Sequence, residues 1–331
     1  MTTNPLNGPA IWGVSDHSTL SPADRRTVLD LADEAVAADE VAALSEATVL
    51  ALDQPDDPGE PLEGATHTDG RHLLAWDGPD LVGYASMIPS SATAPASAEL
   101  VVAPRARRRG VGTALLRALW ERDPAVRVWA HGDLPAAASL ARRHRLSVVR
   151  ELWQMTATLD PRPHLHTDLP DGFRVRPFEA ADAQAWLTVN GRAFADHPEQ
   201  GRLGPSELAT LLGQPWFDAE GFLLVIDHNP HPTAPSAGPA LPAGDPRLAA
   251  FHWTKVLDGV GEIYVLGIDP DYQGRGLAEP LAAVGLEHLR SAGVSQVRLY
   301  VEATNSAAVR IYRRLGFARL GVDVMYARPV G

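Results

Sequence analysis

Hydrophobic and polar residues follow strand or helix spacing along most of the chain, and each half shows the same order of predicted elements. In the first half, apolar runs predict strands at 71–89, 98–103, 125–131 and 146–159. The first of these runs contains an Asp-Gly pair, which predicts a two-stranded hairpin. Helical spacing predicts helices near 111–122 and 135–145.

Residues 21–52 have helix-forming composition and predict one helical region before the first strand. Ser21 is suited to cap its first turn, because a serine oxygen can accept a hydrogen bond from a free backbone amide. Pro22 fits the first helical position, where the amide has no partner in the helix. Glu46 lies inside this predicted region.

The second half repeats the order. Apolar runs predict strands at 173–178, 221–228, 248–256, 261–268, 297–303 and 321–327. Helices are predicted at 180–195, 204–214, 277–291 and 306–315. Residues 229–247 are rich in Pro and small residues, so we expect a flexible surface loop there.

The repetition predicts an α/β fold in which two tandem domains each contain a mixed sheet flanked by helices. A Pro-rich segment without periodicity separates the two halves and predicts a linker. We therefore predict an N-terminal domain over 1–160, a linker over 161–172 and a C-terminal domain over 173–331.

The amino-acid composition excludes several classes of partner and chemistry. The formal net charge of −12 argues against a nucleic-acid or membrane-surface partner, since both select basic faces. Cysteine is absent, which excludes disulfides, thiol nucleophiles and Cys-ligated metals. No run of about 18 apolar residues and no signal-peptide pattern occurs, so we expect a cytoplasmic protein. The single lysine, Lys255, is either functional or an accidental surface residue.

A short turn between a predicted strand and a predicted helix is the main chemical signal. Gln273, Arg275, Gly276 and Ala278 lie in it, where backbone amides at a helix N-terminus can bind a phosphate. Glycine helps because a side chain would hold the phosphate away from the backbone. The dinucleotide-binding and Walker A patterns are both absent. Taken alone, the turn could also be an ordinary loop.

Two segments in order, 265–281 and "NSAAVRIYRRLGF" at 305–317, resemble the two signatures of the GCN5-related N-acetyltransferases. This resemblance implies acetyl-CoA as co-substrate, with its arm and acetyl carbonyl against the end of one strand and its pyrophosphate in the turn. The residues implied are Leu266, Gly267, Ile268, Gln273, Gly274, Arg275, Gly276, Leu277, Ala278, Glu279, Asn305, Ser306, Ala307, Ala308, Val309 and Arg310.

The same resemblance suggests catalytic residues for acetyl transfer to an amine. Glu262 is a candidate base for the amine, and Tyr312 a candidate acid for the departing thiolate. The amide of Leu266 is the candidate donor to the oxyanion. Alternatively, Glu262 is a solvated charge at a strand end, and Tyr312 only packs beside the cofactor sulfur.

The first half contains a second copy of the turn, with three consecutive arginines that make it the more cationic of the two. By the same resemblance, its acetyl-CoA-binding residues are Leu100, Val101, Val102, Arg108, Arg109, Gly110, Val111, Gly112 and Thr113. Ala96 and Leu140 stand where the second copy has Glu262 and Tyr312. We therefore expect this domain to bind acetyl-CoA without catalysing.

The tandem plan and the segment 193–201 resemble the branch of this family that acetylates the cysteinyl amine of a glucosaminyl-inositol conjugate, a pseudo-disaccharide. The implied acceptor contacts are Glu46, Glu199, Lys255, Glu262 and Tyr300. Glu46, Glu199 and Tyr300 could instead be a surface helix charge, an exposed turn and a core aromatic. No metal-ligand spacing or nucleophile elbow occurs, so we expect no metal and direct attack in a ternary complex.

Other acceptors stay open, namely an aminoglycoside or a protein N-terminus, and so does a non-catalytic acetyl-CoA sensor. An aminoglycoside carries several ammonium groups and would require a more acidic cleft than three glutamates provide. Small molecules are the expected partners, and a monomer is the expected state.

Overall fold

The computed structural model describes residues 12–53, 71–90, 94–159, 165–195, 197–228 and 247–329. The chain forms two compact units: Met1–Leu152 with Val322–Gly331, and Trp153–Gly321. At their ends these units differ from the sequence-based domains, because residues 153–160 belong to the second unit and 322–331 to the first. None of the helices in the described ranges has the length and apolar character that crossing a membrane requires.

The first unit has a mixed sheet whose strands lie in the order β1-β2-β3-β4-β5-β12. Its strands are β1 (Val14–His17), β2 (Arg71–Asp77), β3 (Asp80–Ile88), β4 (Ser97–Val102), β5 (Arg127–Ala130) and the last part of β12 (Ala318–Ala327). Its helices are α1 (Pro22–Asp39), α2 (Glu46–Leu52), α3 (Val111–Arg122) and α4 (Pro135–Arg143). The pairing of β4 with β5 is parallel, and β3 and β12 run antiparallel to their neighbours.

The predicted single helical region over 21–52 is two helices. The Ser21 side chain accepts from the amide of Asp24, so the predicted N-cap is confirmed. The chain then leaves the helix at Glu40, which has a left-handed φ of 56° and ends α1. A second N-cap follows at Ser45, whose hydroxyl accepts from the amide of Thr48. Strand β1 is a further element that the pattern did not predict.

The second unit repeats this plan with the strand order β6-β11-β10-β9-β8-β7. Its strands are the last part of β6 (Ser147–Thr158), β7 (Phe173–Pro177), β8 (Phe222–Asp227), β9 (Arg247–Leu257), β10 (Val260–Ile268) and β11 (Gln296–Glu302). Its helices are α5 (Ala183–Ala193), α6 (Pro198–Gly201), α7 (Pro205–Leu212), α8 (Ala278–Ser291) and α9 (Ser306–Arg314). The predicted strands and helices are present, whereas α6 was not predicted; residues 160–164 and 229–246 lie outside the described residues.

Two different cores cover the two faces of this second sheet. On one face, the α5 residue Trp186 packs edge-on against Phe222 and Trp253, whose rings stack on each other. On the other face, α8 and α9 contribute to an aliphatic core that includes Leu286, Val309 and their neighbours. Because side chains alternate along a strand, each strand residue belongs to one of these faces.

A buried ion-pair cluster fixes β12 in the first unit. His131, directly after β5, has its Nδ1 3.3 Å from Asp323 on β12 and its Nε2 3.6 Å from Glu99 on β4. The carboxylate of Asp323 also accepts from the amide of Gly132 at 2.8 Å. Burial alone lowers the pKa of His131, but its contacts with Asp323 and Glu99 outweigh burial and raise the pKa to about 10.

Because the pKa of His131 is raised, the first unit is predicted to lose stability as the pH becomes alkaline. An imidazolium with a folded pKa above its unfolded value of about 6.5 contributes fully below that value and is lost as the pH rises to the folded pKa. We expect the free energy of unfolding of the first unit to fall by on the order of 3 kcal/mol between about pH 6 and about pH 10. Urea unfolding across this range measures the fall.

His131→Gln is expected to remove most of the pH dependence and to lower the stability at neutral pH. His166→Gln is the matched control, because His166 is an exposed histidine whose side chain faces Asp168 at 3.6 Å. An unfolding free energy that keeps its alkaline fall in His131→Gln would contradict the assignment.

Candidate active site

Strand β10 diverges from one of its two neighbours. Its parallel register with β11 covers Gly261, Glu262 and Ile263, and within the described residues this register goes no further. Its antiparallel register with β9 continues to Ile268. Beyond Ile263, β10 therefore has no register partner on β11 in the described residues, and the backbone groups on this edge require other partners.

An irregularity marks the point where the strands begin to diverge. The register of β10 with β9 shifts between Ile263 and Val265, so Tyr264 is an extra residue, as in a β-bulge. The equivalent strand of the first unit, β4, pairs residue by residue with β3 from Ser97 to Val102. In the described residues β4 pairs with β5 only over 97–99, so the divergence is common to both copies. The bulge belongs to the second copy, since β4 has none.

Both copies of the turn after the diverging strand have the same backbone. In the second unit, Gln273 is extended, with φ −64° and ψ 150°, and Gly274 and Gly276 follow with φ values of 75° and 78°. In the first unit, Arg107 has φ −63° and ψ 155°, and Arg108 and Gly110 follow with φ values of 65° and 95°. Turns of this kind direct backbone amides into one concavity at the start of a helix.

Ion pairs hold each turn in place, but the arginine and its carboxylate partners exchange places between the two units. In the second unit, Arg192 of α5 binds Asp269 at 2.9 Å and Asp271 at 2.8 Å. In the first unit the arginine is on the turn, because Arg107 binds Asp39 of α1 through two hydrogen bonds of 2.8 and 2.6 Å.

The expectation that three consecutive arginines make the first turn the more cationic needs correction. Arg107 is paired with Asp39, and Arg109 is paired with Asp77 at 2.9 Å. The side chain of Arg109 also lies over the ring of Trp12, whose indole N–H donates to the Arg109 carbonyl at 2.9 Å. Local carboxylates therefore offset two of the three positive charges.

The predicted acetyl-CoA-binding residues of the second unit lie on consecutive parts of this structure. They occupy the end of β10 (Leu266, Gly267, Ile268), the turn (Gln273, Gly274, Arg275, Gly276, Leu277), the start of α8 (Ala278, Glu279) and the start of α9 (Asn305, Ser306, Ala307, Ala308, Val309, Arg310). Asn305 caps α9 by accepting from the Ala308 amide at 3.1 Å. Arg314 binds Glu279 at 2.5 Å, which offsets a carboxylate beside the turn.

The corresponding residues of the first unit follow the same order. They occupy the end of β4 (Leu100, Val101, Val102), the turn (Arg108, Arg109, Gly110) and the start of α3 (Val111, Gly112, Thr113). Ala96 precedes β4 and is buried, and Leu140 packs at the edge of the first core. Their expected equivalence with Glu262 and Tyr312 is wrong by one position in each case. Because Tyr264 is an extra residue in β10, Ser97, opposite Ile88, has the register position that Glu262 has opposite Lys255. In the helices, Ala141 accepts from the Leu146 amide as Tyr312 accepts from the Phe317 amide, so Ala141 has the position of Tyr312.

A row of charged side chains crosses three strands of the second sheet. Glu262 of β10 lies directly opposite Lys255 of β9 and Arg298 of β11, so all three project from one face. The Glu262 carboxylate accepts from Arg298 Nε at 2.9 Å, and Glu262 is 7% exposed. The alternative of a solvated charge at a strand end is therefore wrong.

Lys255 is buried and lies against aromatic rings. It is 3% exposed, which makes the alternative of an accidental surface lysine wrong. Its Nζ is 4.5 Å from the ring centroid of Trp216 and 5.1 Å from that of Tyr264, the bulge residue. Aromatic faces attract a cation, and the attraction is stronger where water is excluded.

Tyr300 and Tyr312 differ sharply in environment. Tyr300 is two residues beyond Arg298 on the same face of β11 and is 41% exposed, so it is not a core aromatic. Tyr312 is a buried residue of α9, and its ring meets that of Phe317 edge-on. Burial raises the pKa of Tyr312 to about 12, so its hydroxyl stays protonated at neutral pH.

Two of the acceptor contacts predicted from the sequence are untested. Glu46 belongs to the first unit, where it is the first residue of α2. Glu199 lies in α6, and its side chain is outside the described residues. Both roles stay predictions.

Sequence reasoning missed several residues that shape the site. Arg298 and Trp216 contact Glu262 and Lys255 from distant positions in the chain. His252 is fully buried, and burial lowers its pKa to about 4 while its Nδ1 binds the Leu281 carbonyl at 3.1 Å. Alternation along "FHWTKV" places His252 and Lys255 on opposite faces of β9, but the pattern does not identify the residues that contact them. Among the described residues, no group of three or more acidic or histidine side chains is arranged to hold a metal ion.

Comparison with known proteins agrees with this architecture. The Acetyltransferase (GNAT) family matches residues 208–317, and the Acetyltransferase (GNAT) domain matches residues 68–144. The GCN5-related N-acetyltransferase structure from Sphaerobacter thermophilus has a TM-score of 0.63 at 23% identity and covers 97% of each chain. A tandem GNAT protein from the clavulanic acid biosynthesis pathway has a TM-score of 0.62 at 17% identity and covers 96% of this chain and 100% of its own. These likenesses concern the fold.

Similarity to curated sequences is closer. The mycothiol acetyltransferase of Thermobispora bispora is 45% identical over 317 residues, which are 93% of this chain and 97% of that protein. The mycothiol acetyltransferase of Geodermatophilus obscurus is 46% identical over 328 residues, which are 95% and 97% of the two chains. With two GNAT domains and relatives this similar over nearly its whole length, the chain belongs to the mycothiol acetyltransferase family of GCN5-related N-acetyltransferases.

Proposed function

We propose that the chain transfers acetyl from acetyl-CoA to the cysteinyl amine of a glucosaminyl-inositol conjugate, which gives mycothiol. The observation that carries the proposal is the buried carboxylate of Glu262, which lies in a charged row beside the diverging strand. The naming of the relatives supports the choice of acceptor. An acceptor with many hydroxyls and one ammonium group suits a face that offers carboxylates and a few donors.

The second unit is the proposed catalytic unit. The open edge of β10 at Leu266–Ile268 suits the amide-rich arm of acetyl-CoA, which would complete the unpaired strand edge. The turn with Gly274 and Gly276 suits the pyrophosphate, because its amides lie at the start of α8. The Leu266 amide, just beyond the bulge, would donate to the oxyanion.

Two side chains supply the proton transfers. The Glu262 carboxylate, which accepts from Arg298 Nε at 2.9 Å, would accept the proton of the attacking amine, directly or through water. Tyr312 keeps its proton because burial raises its pKa, so it can protonate the departing thiolate. The amine then attacks the thioester directly in a ternary complex.

The first unit is proposed to bind acetyl-CoA without catalysing. Its turn has the backbone of the second turn, including a positive φ at Arg108 and Gly110. Ser97 and Ala141 provide neither a carboxylate base nor a phenol in the places of Glu262 and Tyr312. Its role in the cell is therefore binding rather than turnover.

Product analysis tests the proposed acceptor. The purified protein is mixed with acetyl-CoA and the cysteinyl-glucosaminyl-inositol conjugate, and mass spectrometry follows the acetylated product. A thiol-release assay would be confounded, because the acceptor itself carries a thiol. We expect product from this acceptor and none from an aminoglycoside or a peptide amine. Bound acetyl-CoA without product would refute the acceptor assignment.

Substitution of the catalytic pair tests the chemistry. We expect Glu262→Gln to lower kcat by about 10²–10⁴-fold, since general acid–base catalysis contributes this much, and Tyr312→Phe to lower it by about 10²-fold. Steady-state kinetics with the same acceptor measure both effects. Glu207→Gln, at an exposed capping position of α7, is the control and should retain full activity. Full turnover by the Glu262→Gln/Tyr312→Phe double variant would show that neither residue is catalytic.

Glycine substitution separates strain from co-substrate binding. Gly276 and Gly293 both have positive φ values, of 78° and 80°. An added Cβ would meet Pro170 at 3.9 Å, an ordinary contact, at Gly276, and no atom within 4 Å at Gly293. Alanine at either position should cost about 1 kcal/mol of folding stability. Gly276→Ala alone should weaken one acetyl-CoA binding event, by about tenfold or more, because it adds a methyl group to the turn proposed for the pyrophosphate. Isothermal titration calorimetry measures each event.

The first turn provides the complementary variant. Gly110→Ala, at a φ of 95°, should weaken the other binding event and leave kcat unchanged. Equal loss of affinity in Gly276→Ala and Gly293→Ala would mean that strain alone acts. Loss of turnover in Gly110→Ala with an intact second binding event would contradict a purely binding first unit.

A further inference from the structure

Two aromatic rings confine the single lysine of the chain. The Nζ of Lys255 is 4.5 Å from the ring centroid of Trp216 and 5.1 Å from that of Tyr264. The centroids of these two rings are 5.1 Å apart, and the ring planes are tilted by 57°. A lysine side chain is otherwise among the most flexible, and this one is 3% exposed. The rings therefore restrict where its ammonium group can lie.

The bulge in β10 supplies one of the two rings. Tyr264 is the extra residue of the bulge, and its ring meets the ring of Trp253 with 5.5 Å between the centroids. Trp253 is two residues before Lys255 on β9, so their side chains project from one face of the sheet. The bulge thus places a ring on the face that carries Lys255 and Glu262.

The segment between α7 and β8 supplies the other ring and is attached close to it. Asp218, two residues beyond Trp216, lies 2.9 Å from the Nε2 of His288 on α8. The Gly221 carbonyl accepts from both the amide and the hydroxyl of Thr254, each at 2.8 Å. Thr254 is the residue directly before the lysine on β9. This segment is therefore fixed to the same strand that carries the lysine.

The first unit lacks both the lysine and the bulge in the part of the chain that the structure describes. Ile88, opposite Ser97, has the register position of Lys255 and is 40% exposed. Strand β4 pairs with β3 without a bulge, so no extra residue joins this face. The confined lysine therefore belongs to the unit that also has Glu262, the proposed base.

We propose that Trp216 and Tyr264 are positioning residues, which hold the ammonium group of Lys255 ready for a hydroxyl group of the acceptor. The inference rests on the proposed function, in which Lys255 is an acceptor contact. Aromatic faces attract a cation, and they do so more strongly where water is excluded. A flexible side chain loses rotamer entropy when it binds a ligand, and one that is already confined loses less. The two rings thus prepare the lysine for binding.

Nuclear magnetic resonance of the lysine tests the confinement, because the chain contains one lysine only. Protein labelled with ¹³C in its lysine side chain gives one εCH₂ signal, and nearby aromatic rings shift these protons upfield. We expect an upfield signal in the wild-type protein and a move toward the position of free lysine in Trp216→Leu. Trp153→Leu is the matched control, because Trp153 is a half-buried tryptophan of the same unit whose ring lies beneath Arg313 and Arg319. It should leave the signal in place.

Acceptor kinetics test what the confined lysine does. We expect Trp216→Leu to raise the KM for the acceptor by about tenfold, since it removes a cation–aromatic contact in a buried site, with kcat changed less than about threefold. Trp216→Phe keeps an aromatic face and should restore the KM to within about threefold of the wild-type value. In a Lys255→Met background, Trp216→Leu should raise the KM no further, because its effect passes through the lysine. Acetyl-CoA affinity should be unchanged in each variant.

The outcomes separate this inference from the proposed function. No product from the wild-type protein would refute the proposed function, and with it the acceptor contact of Lys255, whatever the lysine signal shows. With normal wild-type turnover, a lysine signal that does not move in Trp216→Leu would refute the inference alone.

Two kinetic results would also overturn it. Additive rises in KM for Trp216→Leu and Lys255→Met would show that the tryptophan acts independently of the lysine. A lower kcat with an unchanged KM would show that the lysine serves Glu262 rather than the acceptor. If Trp216→Leu does not fold, Tyr264→Leu takes its place, and an unmoved lysine signal or an unchanged KM in that variant would refute the inference.

Discussion

The divergence of β10 from β11 is the constraint on which the rest of the second unit depends. The strand stays attached to β9 as far as Ile268, while its other edge leaves β11 after Ile263. In a sheet, the backbone amides and carbonyls on both edges of an inner strand normally have hydrogen-bond partners. A strand with one open edge must therefore be kept in position by other contacts. The bulge at Tyr264 begins the change of direction, and the Arg192 ion pairs hold the turn that follows. Together they leave an open strand edge followed directly by the turn and the start of α8.

Charges of opposite sign are neighbours on one face of the second sheet. Glu262, Lys255 and Arg298 are register partners, and buried charges are costly unless they are paired. Lys255 gains a further partner in the rings of Trp216 and Tyr264. Replacement by apolar residues could increase stability, as it often does for buried pairs. The fold therefore does not by itself require these charges, and the proposed polar acceptor supplies a reason for them.

The two units show which features duplication preserved. Both turns have the same backbone, although Arg108 occupies a left-handed position where the second unit has Gly274. A non-glycine residue there costs about 1 kcal/mol, so the conformation is kept despite strain. In the first unit, β4 pairs with β3 without a bulge. Glu99, the last residue of β4 in register with β5, belongs to the buried Glu99–His131–Asp323 cluster. The backbone suited to a phosphate is common to both units, whereas the polar face with Glu262 belongs to the second.

The sequence by itself determined the order of strands and helices, both turns and the residues of the two signatures, because each depends on neighbours within a few positions. It also separated the two copies, although Ala96 and Leu140, which it aligned with Glu262 and Tyr312, are each one position away from the structural equivalents Ser97 and Ala141. The end of α1 at Glu40 was missed, because a left-handed residue inside a helix-forming composition gives little local signal. Only the tertiary structure decided the partners: Arg298 for Glu262, Trp216 for Lys255 and Asp323 for His131. Such contacts join residues far apart in the chain, and they depend on strand register and packing, which no local pattern specifies.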